Sequence, residues 1–192
     1  MRWLYRHGGK RIFDLGLAAA GLFLFAVPMA LIALWIWRET GRPILFLQVR
    51  VGKGGRHFVL LKFRTMTPEG RVIPSGRALR ATAMDELPQL VNILKGEMSF
   101  VGPRPLIPEE LTELPGIQEG GRRLLVRPGL AGLAQLHGTK SAGLAERLQW
   151  DLAYLDRCSL WLDLKILLKS VGITLAGAWE LPHGSGSSAG GR

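Results

Sequence analysis

Asp85 and Glu86, in the run Arg80-Ala81-Thr82-Ala83-Met84-Asp85-Glu86-Leu87-Pro88-Gln89-Leu90, are adjacent carboxylates placed where an amphipathic helix is expected to begin. Leu87, Leu90, Val91 and Leu94 recur behind them at helical spacing, and Pro88 suits a first turn. The pair would then stand at the positive end of the helix, which favours its ionised form. An ionised carboxylate can act as a nucleophile or hold a hard cation. A lone Asp-Glu at such a place is more often ordinary first-turn acidity, so the chemical reading depends on what surrounds it.

The surroundings are basic and partly apolar. The chain has 192 residues, the length of one ordinary domain, and a formal net charge of +10, which implies anionic partners: nucleic acid, lipid head groups or phosphorylated substrates. Cys158 is the single cysteine, which excludes an intramolecular disulfide and a multi-cysteine metal site and fits a cytoplasmic catalytic domain. His7, His57, His137 and His183 are scattered without metal-ligand spacing. Gly52-Lys53-Gly54-Gly55 lacks the Walker pattern and reads as a hairpin turn.

From Leu15 to Trp37 no residue carries a formal charge and most are apolar. At about 1.5 Å per residue this stretch can reach across a hydrocarbon core of about 30 Å. It is long for the apolar core of a cleaved signal and ends in Leu34-Trp35-Ile36-Trp37-Arg38 rather than at a small-residue cleavage site. Trp3, Trp35 and Trp37 fit an interfacial belt, or packing against the protein's own helices. Arg2, Arg6, Lys10 and Arg11 precede the segment, and Arg38, Arg42, Arg50 and Lys53 follow it, so the positive-inside tendency draws both ends to the cytoplasm. A helix bent at Pro28, which has no amide proton, could enter and return on one face; a straight span is the alternative.

Residues 44–51 and 57–63 read as the strands of a hairpin. Residues 67–76 read as a loop, followed by a short helix and then the helix starting near Asp85. Gly102-Pro103-Arg104-Pro105 and Arg127-Pro128-Gly129-Leu130-Ala131-Gly132 are stiff, turn-rich breaks. Between Ala145 and Trp179 the chain is again helical, with Asp163, Lys165 and Lys169 among apolar residues: an interfacial helix with snorkelling lysines, or a buried helix with one polar edge. The expected organisation is a re-entrant membrane helix with basic flanks over 1–40, a cytosolic membrane-surface catalytic domain over 41–182 and a flexible tail over 183–192.

Taken in order, Gln48-Val49-Arg50-Val51-Gly52, Lys62-Phe63-Arg64-Thr65-Met66, Asp85-Glu86-Leu87-Pro88-Gln89-Leu90, Met98-Ser99-Phe100-Val101-Gly102-Pro103-Arg104-Pro105 and Arg127-Pro128-Gly129-Leu130 carry a resemblance. With Trp150-Asp151, Tyr154 and residues 161–167, they resemble the bacterial sugar transferase family of small monotopic phosphoglycosyl transferases over roughly residues 10 to 175. The expected fold is α+β and mainly helical: a monotopic membrane protein with an N-terminal re-entrant helix, a small β-hairpin and interfacial amphipathic helices. The resemblance implies transfer of a sugar 1-phosphate from a nucleoside diphosphate sugar, commonly a UDP-sugar, to undecaprenyl phosphate, with release of the nucleoside monophosphate. It places the protein at the bacterial inner (cytoplasmic) membrane, with its catalytic domain on the cytoplasmic face. It also implies a requirement for Mg2+ and a covalent phosphosugar on Asp85.

On that reading Asp85 is the nucleophile, and Glu86 helps to hold the metal with it or orients a reacting group. Lys62, Arg64, Arg80, Arg104 and Arg127, in or beside the matching motifs, are the candidates for binding substrate phosphates, since guanidinium groups grip phosphate oxygens as a fork. A solvated basic face or contact with anionic lipid is the plainer account of such cations. Pro103 and Pro105 stiffen the loop that would present Arg104.

The chain departs from the family pattern in a shorter stretch between Arg64 and Asp85, in Ala131 and Leu133 where Thr and Trp are common, and in Leu136-His137-Gly138-Thr139. These changes bear on sugar recognition more than on phosphoryl transfer. The partners expected are the membrane, undecaprenyl phosphate and the nucleotide sugar, with a homodimer left open. A catalytically silent basic module binding acidic lipid or a glycan-assembly partner is the alternative. Nucleic acid is not expected, for want of a recognised motif or aromatics outside the apolar runs.

Overall fold

The computed structural model describes residues 5–114, 121–137 and 143–175. Arg2, Trp3, the 138–139 part of the departing motif, Trp179 and the 183–192 tail lie outside the described residues. A π-helical turn, Tyr5–Gly9, opens into α1, Lys10–Thr40, the one helix among the described residues long and apolar enough to cross a membrane. The helix continues through Pro28, whose ring removes one backbone donor without ending the helix.

One face of α1 is bare: Ile12, Phe23, Leu24, Val27, Leu31, Trp35 and Trp37 are exposed. The other face docks on the rest of the chain along its whole length. Near its start Lys10 reaches Asp163 (2.5 Å), Arg11 donates to the carbonyls of Ile93 (2.6 Å) and Leu94 (2.8 Å), and Asp14 accepts from Ser99 Oγ (3.0 Å) and Phe100 N (3.1 Å). Ala18 enters the main core and Gly21 lies against Leu90. Toward its end Ile32 and Ile36 pack with Phe63, Ile73 and Leu79, and Glu39 accepts from Ser75 N (3.2 Å).

The expected hairpin forms: β1, Leu45–Val51, pairs antiparallel with β2, His57–Phe63, with Val51 opposite His57 and Leu45 opposite Phe63. Period-2 alternation sends Phe58 and Leu60 into the core and carries Arg50 and Lys62 on that same face. The outer edge of β2 is closed by Asn92, which accepts from Leu61 N (3.0 Å) and donates to Val59 O (2.7 Å). Next comes α2, Pro74–Ala81, so the loop before it ends earlier than expected.

The acidic pair does not begin a helix. Met84–Glu86 is a separate 3-10 turn, entered through left-handed Ala83 (φ 53°), and α3 spans Gln89–Lys95 after it. Pro88 has no N–H to reach back to Met84 O, and Leu87 N takes that carbonyl instead (3.3 Å), so the α-helical ladder starts only afterwards.

The first turn-rich break, 102–105, is a turn as expected, but it follows a strand, and the second contains one. β3, Ser99–Val101, and β4, Gly129–Ala131, form a parallel pair, Ser99 opposite Gly129 and Val101 opposite Ala131. Three residues are too few to show period 2 in a sequence. Gly129 permits the approach: a Cβ there would lie 2.1 Å from Gly102 N.

Around this pair lie α4, Pro108–Thr112, the 3-10 turn Arg123–Leu125, α5, Leu133–His137, and α6, Leu144–Arg157. The last element among the described residues is α7, Leu160–Leu175, separated from α6 at Cys158 and Ser159. α7 is not a buried helix with a polar edge: Leu160, Trp161, Leu168, Val171 and Leu175 are exposed while Asp163 is fully buried. Asp163 is satisfied there by Tyr5 Oη (2.6 Å), Tyr154 Oη (2.8 Å) and Lys10, which together pin α7 and α6 to the start of α1. Leu87, two residues beyond Asp85, packs against both apolar clusters and fixes the acidic turn between them.

Candidate active site

Asp85 is 2% exposed, and its Oδ2 lies 2.7 Å from Lys62 Nζ. The same ammonium is 3.4 Å from Glu86 Oε1. Lys62 arrives from β2 by strand alternation; the carboxylates arrive from the 3-10 turn, which lies directly against that strand. Burial pushes the Asp85 carboxyl above its ordinary range; the Lys62 charge opposes this, and Glu86 reinforces it. The ammonium that keeps the charged form accessible is Lys62.

Asp85 and Glu86 open onto a cleft of about 650 Å³. Of the cations expected at the site, Lys62, Arg80 and Arg104 line it. Arg64 and Arg127 are placed elsewhere. Arg64 donates to Thr40 O (3.2 Å) and Gly41 O (2.9 Å) and contacts Thr40 Oγ1, closing the end of α1. Arg127 Nε donates to Gly96 O (2.7 Å) and joins Arg11 in satisfying the carbonyls that end α3.

Sequence reasoning missed Arg50, Glu110, Arg123, Arg147 and Asp151, which line the same cleft. Arg50 was legible in principle, sharing the inward phase of the hairpin with Lys62. Arg147 and Asp151 are one helical turn apart on α6, but nothing local says that this face looks into the site. Arg123 and Asp151 form a buried pair at 3.1 Å. Burial raises the Asp151 carboxyl to about 6, against the opposing charges of Arg123 and Arg147, and lowers Arg123.

Part of the lining is apolar, with Leu87, Leu90, Phe100, Leu130, Leu167 and Val171. A buried carboxylate, convergent cations and a partly apolar lining suit a substrate that is both anionic and lipophilic. Among the described residues no group of three or more His, Cys, Asp or Glu is arranged to hold a metal by protein ligands alone. The Asp85–Glu86 pair does fit a Mg2+ ion held by one or two carboxylates together with substrate phosphates, because its oxygens are hard donors that already converge on a cation.

The family described as bacterial sugar transferase matches residues 5–177. The chain is 40% identical to an uncharacterized sugar transferase, EpsL, of Bacillus subtilis (strain 168), over 84% of this chain and 85% of that one. It is 41% identical to a UDP-glucose:undecaprenyl-phosphate glucose-1-phosphate transferase of Caulobacter vibrioides, over 84% of this chain and 68% of that one. It is 34% identical to the exopolysaccharide production protein ExoY of Rhizobium meliloti (strain 1021), over 84% and 83%.

Proposed function

Because the chain belongs to the bacterial sugar transferase family, and so is a transferase, we propose that it moves a sugar 1-phosphate from a UDP-sugar to undecaprenyl phosphate, through a covalent phosphosugar on Asp85. The observation that carries this reading is the buried Asp85 carboxylate, paired with Lys62 at 2.7 Å and set in a cleft that also holds Arg80 and Arg104.

In the first step an Asp85 oxygen attacks the sugar-bearing phosphorus. The P–O bond to the nucleoside monophosphate breaks, and its electron pair leaves with UMP. In the second, an oxygen of undecaprenyl phosphate attacks the same phosphorus and the Asp85 carboxylate departs. Lys62 keeps Asp85 charged and oriented for the attack and receives the carboxylate again as it departs; Arg80 and Arg104 bind phosphate oxygens. Mg2+ bound by Asp85 and Glu86 with the diphosphate would neutralise phosphate charge. The product is the first lipid-linked sugar of a surface glycan.

We also assign α1 to a monotopic, re-entrant placement with the catalytic domain on the cytoplasmic face of the inner membrane. Both ends of α1 are tied to one domain, by Lys10 and Arg11 at the start and by Glu39 and Thr40 at the end, and a single domain cannot lie on both sides of a bilayer. The bare apolar arc of α7, with Lys165 over the Trp161 ring at 5.3 Å, suits the interface.

The test is incubation of purified protein with Mg2+ and single UDP-sugars, followed by intact-protein mass spectrometry. A phosphosugar adduct is expected on the wild type and not on Asp85→Asn. An Asp85→Asn protein that turns over at the wild-type rate would remove Asp85 as nucleophile. Inactivity with every donor would favour a silent membrane module.

A further inference from the structure

From Pro103 to Leu106 each main-chain carbonyl has its own donor. Gly129 N–H donates to Pro103 O (2.8 Å), Arg123 Nη2 to Arg104 O (2.7 Å), Arg50 Nη1 to Pro105 O (2.9 Å) and Val51 N–H to Leu106 O (2.9 Å). The two prolines restrict φ and have no N–H to satisfy, and the hydrogen bonds that hold this stretch are made to its carbonyl acceptors. Pro103 and Pro105 are buried, whereas Arg104 between them is exposed and lines the cleft. Among the described residues the Arg104 guanidinium has no hydrogen-bond or ion-pair partner. It is a cation carried on a fixed main chain and left available.

Arg123 stands in contrast. Its side chain is 4% exposed, and the Nη2 that reaches Arg104 O also lies 3.1 Å from Asp151 Oδ2, itself 3% exposed. Burying a guanidinium and a carboxylate costs desolvation on both, and apolar replacements of such pairs are often neutral or better for stability. Stability alone is thus a weak reason for this pair. Its distinctive geometric property is that one nitrogen bridges α6 to the carbonyl of the residue that presents the free cation.

We infer that Arg123 and Asp151 are positioning residues for the transfer: the buried pair fixes the Arg104 main chain so that its guanidinium meets a phosphate of the nucleotide donor. Neither residue need touch substrate. The inference rests on the proposed reading of Arg104 as a phosphate contact. Lysine at position 123 would keep the charge but lose the planar fork that serves two acceptors.

The test is a double-mutant cycle on UMP release from donor, with Arg104→Ala, Arg123→Lys and the combination, and thermal unfolding of each protein in detergent as a check on folding. Because Arg104→Ala keeps the Arg104 carbonyl, the strut survives in it but has no guanidinium to aim. Arg123→Lys alone should lower donor kcat/KM about 10- to 100-fold, and the double variant should fall within about twofold of Arg104→Ala alone. Asp151→Asn, which preserves shape, should behave as Arg123→Lys does. Losses that multiply in the double variant would overturn the positioning role while leaving Arg104 as a phosphate contact. A fully active Arg104→Ala protein would overturn both readings.

Discussion

Lys62 and Asp85, from a strand and a 3-10 turn separated in the chain, form a largely buried ion pair at 2.7 Å, with Glu86 Oε1 a further 3.4 Å contact of the same ammonium. The nucleophile candidate therefore depends on one cation for its charge. Burial alone would favour the protonated carboxyl, the form that cannot attack phosphorus.

Replacing Lys62 by Gln should raise the Asp85 carboxyl further, since burial and Glu86 both push upward and Lys62 is the opposing charge. The acid limb of the pH–rate profile for phosphosugar formation should move to higher pH, with a loss of about 10- to 100-fold at neutral pH. An acid limb that stays in place would show that Asp85 ionisation does not limit the step.

Asp151 titrates at about 6 in the folded protein against an ordinary value of 3.8, because its burial outweighs Arg123 and Arg147. The folded state holds this proton more tightly than the unfolded one. The contribution to stability is therefore complete below about pH 4 and is lost as pH rises through about 6. The wild type should lose stability relative to Asp151→Asn as pH rises from 4 toward 7, read from the two unfolding midpoints; parallel curves would contradict the assignment.

Gly129→Ala should destabilise by about 3 kcal/mol or more, because its Cβ would sit 2.1 Å from Gly102 N and 2.6 Å from Ala131 O, both backbone atoms that cannot swing aside. Gly172→Ala in α7, with no atom within 4 Å, should instead be neutral or stabilise by about 0.5–1 kcal/mol. Thermal unfolding in detergent distinguishes the two.

Arg64 and Arg80 should separate by readout. Arg64→Gln removes donors from Thr40 O and Gly41 O and should cost about 1–2 kcal/mol of stability. Arg80→Gln, on the cleft, should raise donor KM with little change in unfolding midpoint. Equal thermal losses would place Arg80 in the scaffold.

The parts of this protein that announce themselves locally were legible. The charge-free run from Leu15 to Trp37 read as a membrane helix, bent or straight, and the alternation on either side of Gly52-Lys53-Gly54-Gly55 made a hairpin. The Asp-Glu pair and Pro103-Arg104-Pro105 stood out as well, and Asp85, Glu86, Arg104 and Pro105 line one cleft. The β3–β4 pair was not legible, since three residues carry no period and the partners are brought together by a glycine contact rather than by alternation.

The sequence by itself determined composition-driven features: an apolar anchor, a basic surface, a turn-bounded hairpin and the carboxylates themselves. Only the tertiary structure decided how charge is distributed among them. It turned Arg64 and Arg127 to helix-ending carbonyls, brought Arg50, Arg123, Arg147 and Asp151 to the cleft, and buried Asp85 beside Lys62. The physical reason is that burial and pairing depend on distances across the fold, where an arginine's reach is satisfied by whichever acceptor the packing presents. Nothing in its chain neighbours records that choice.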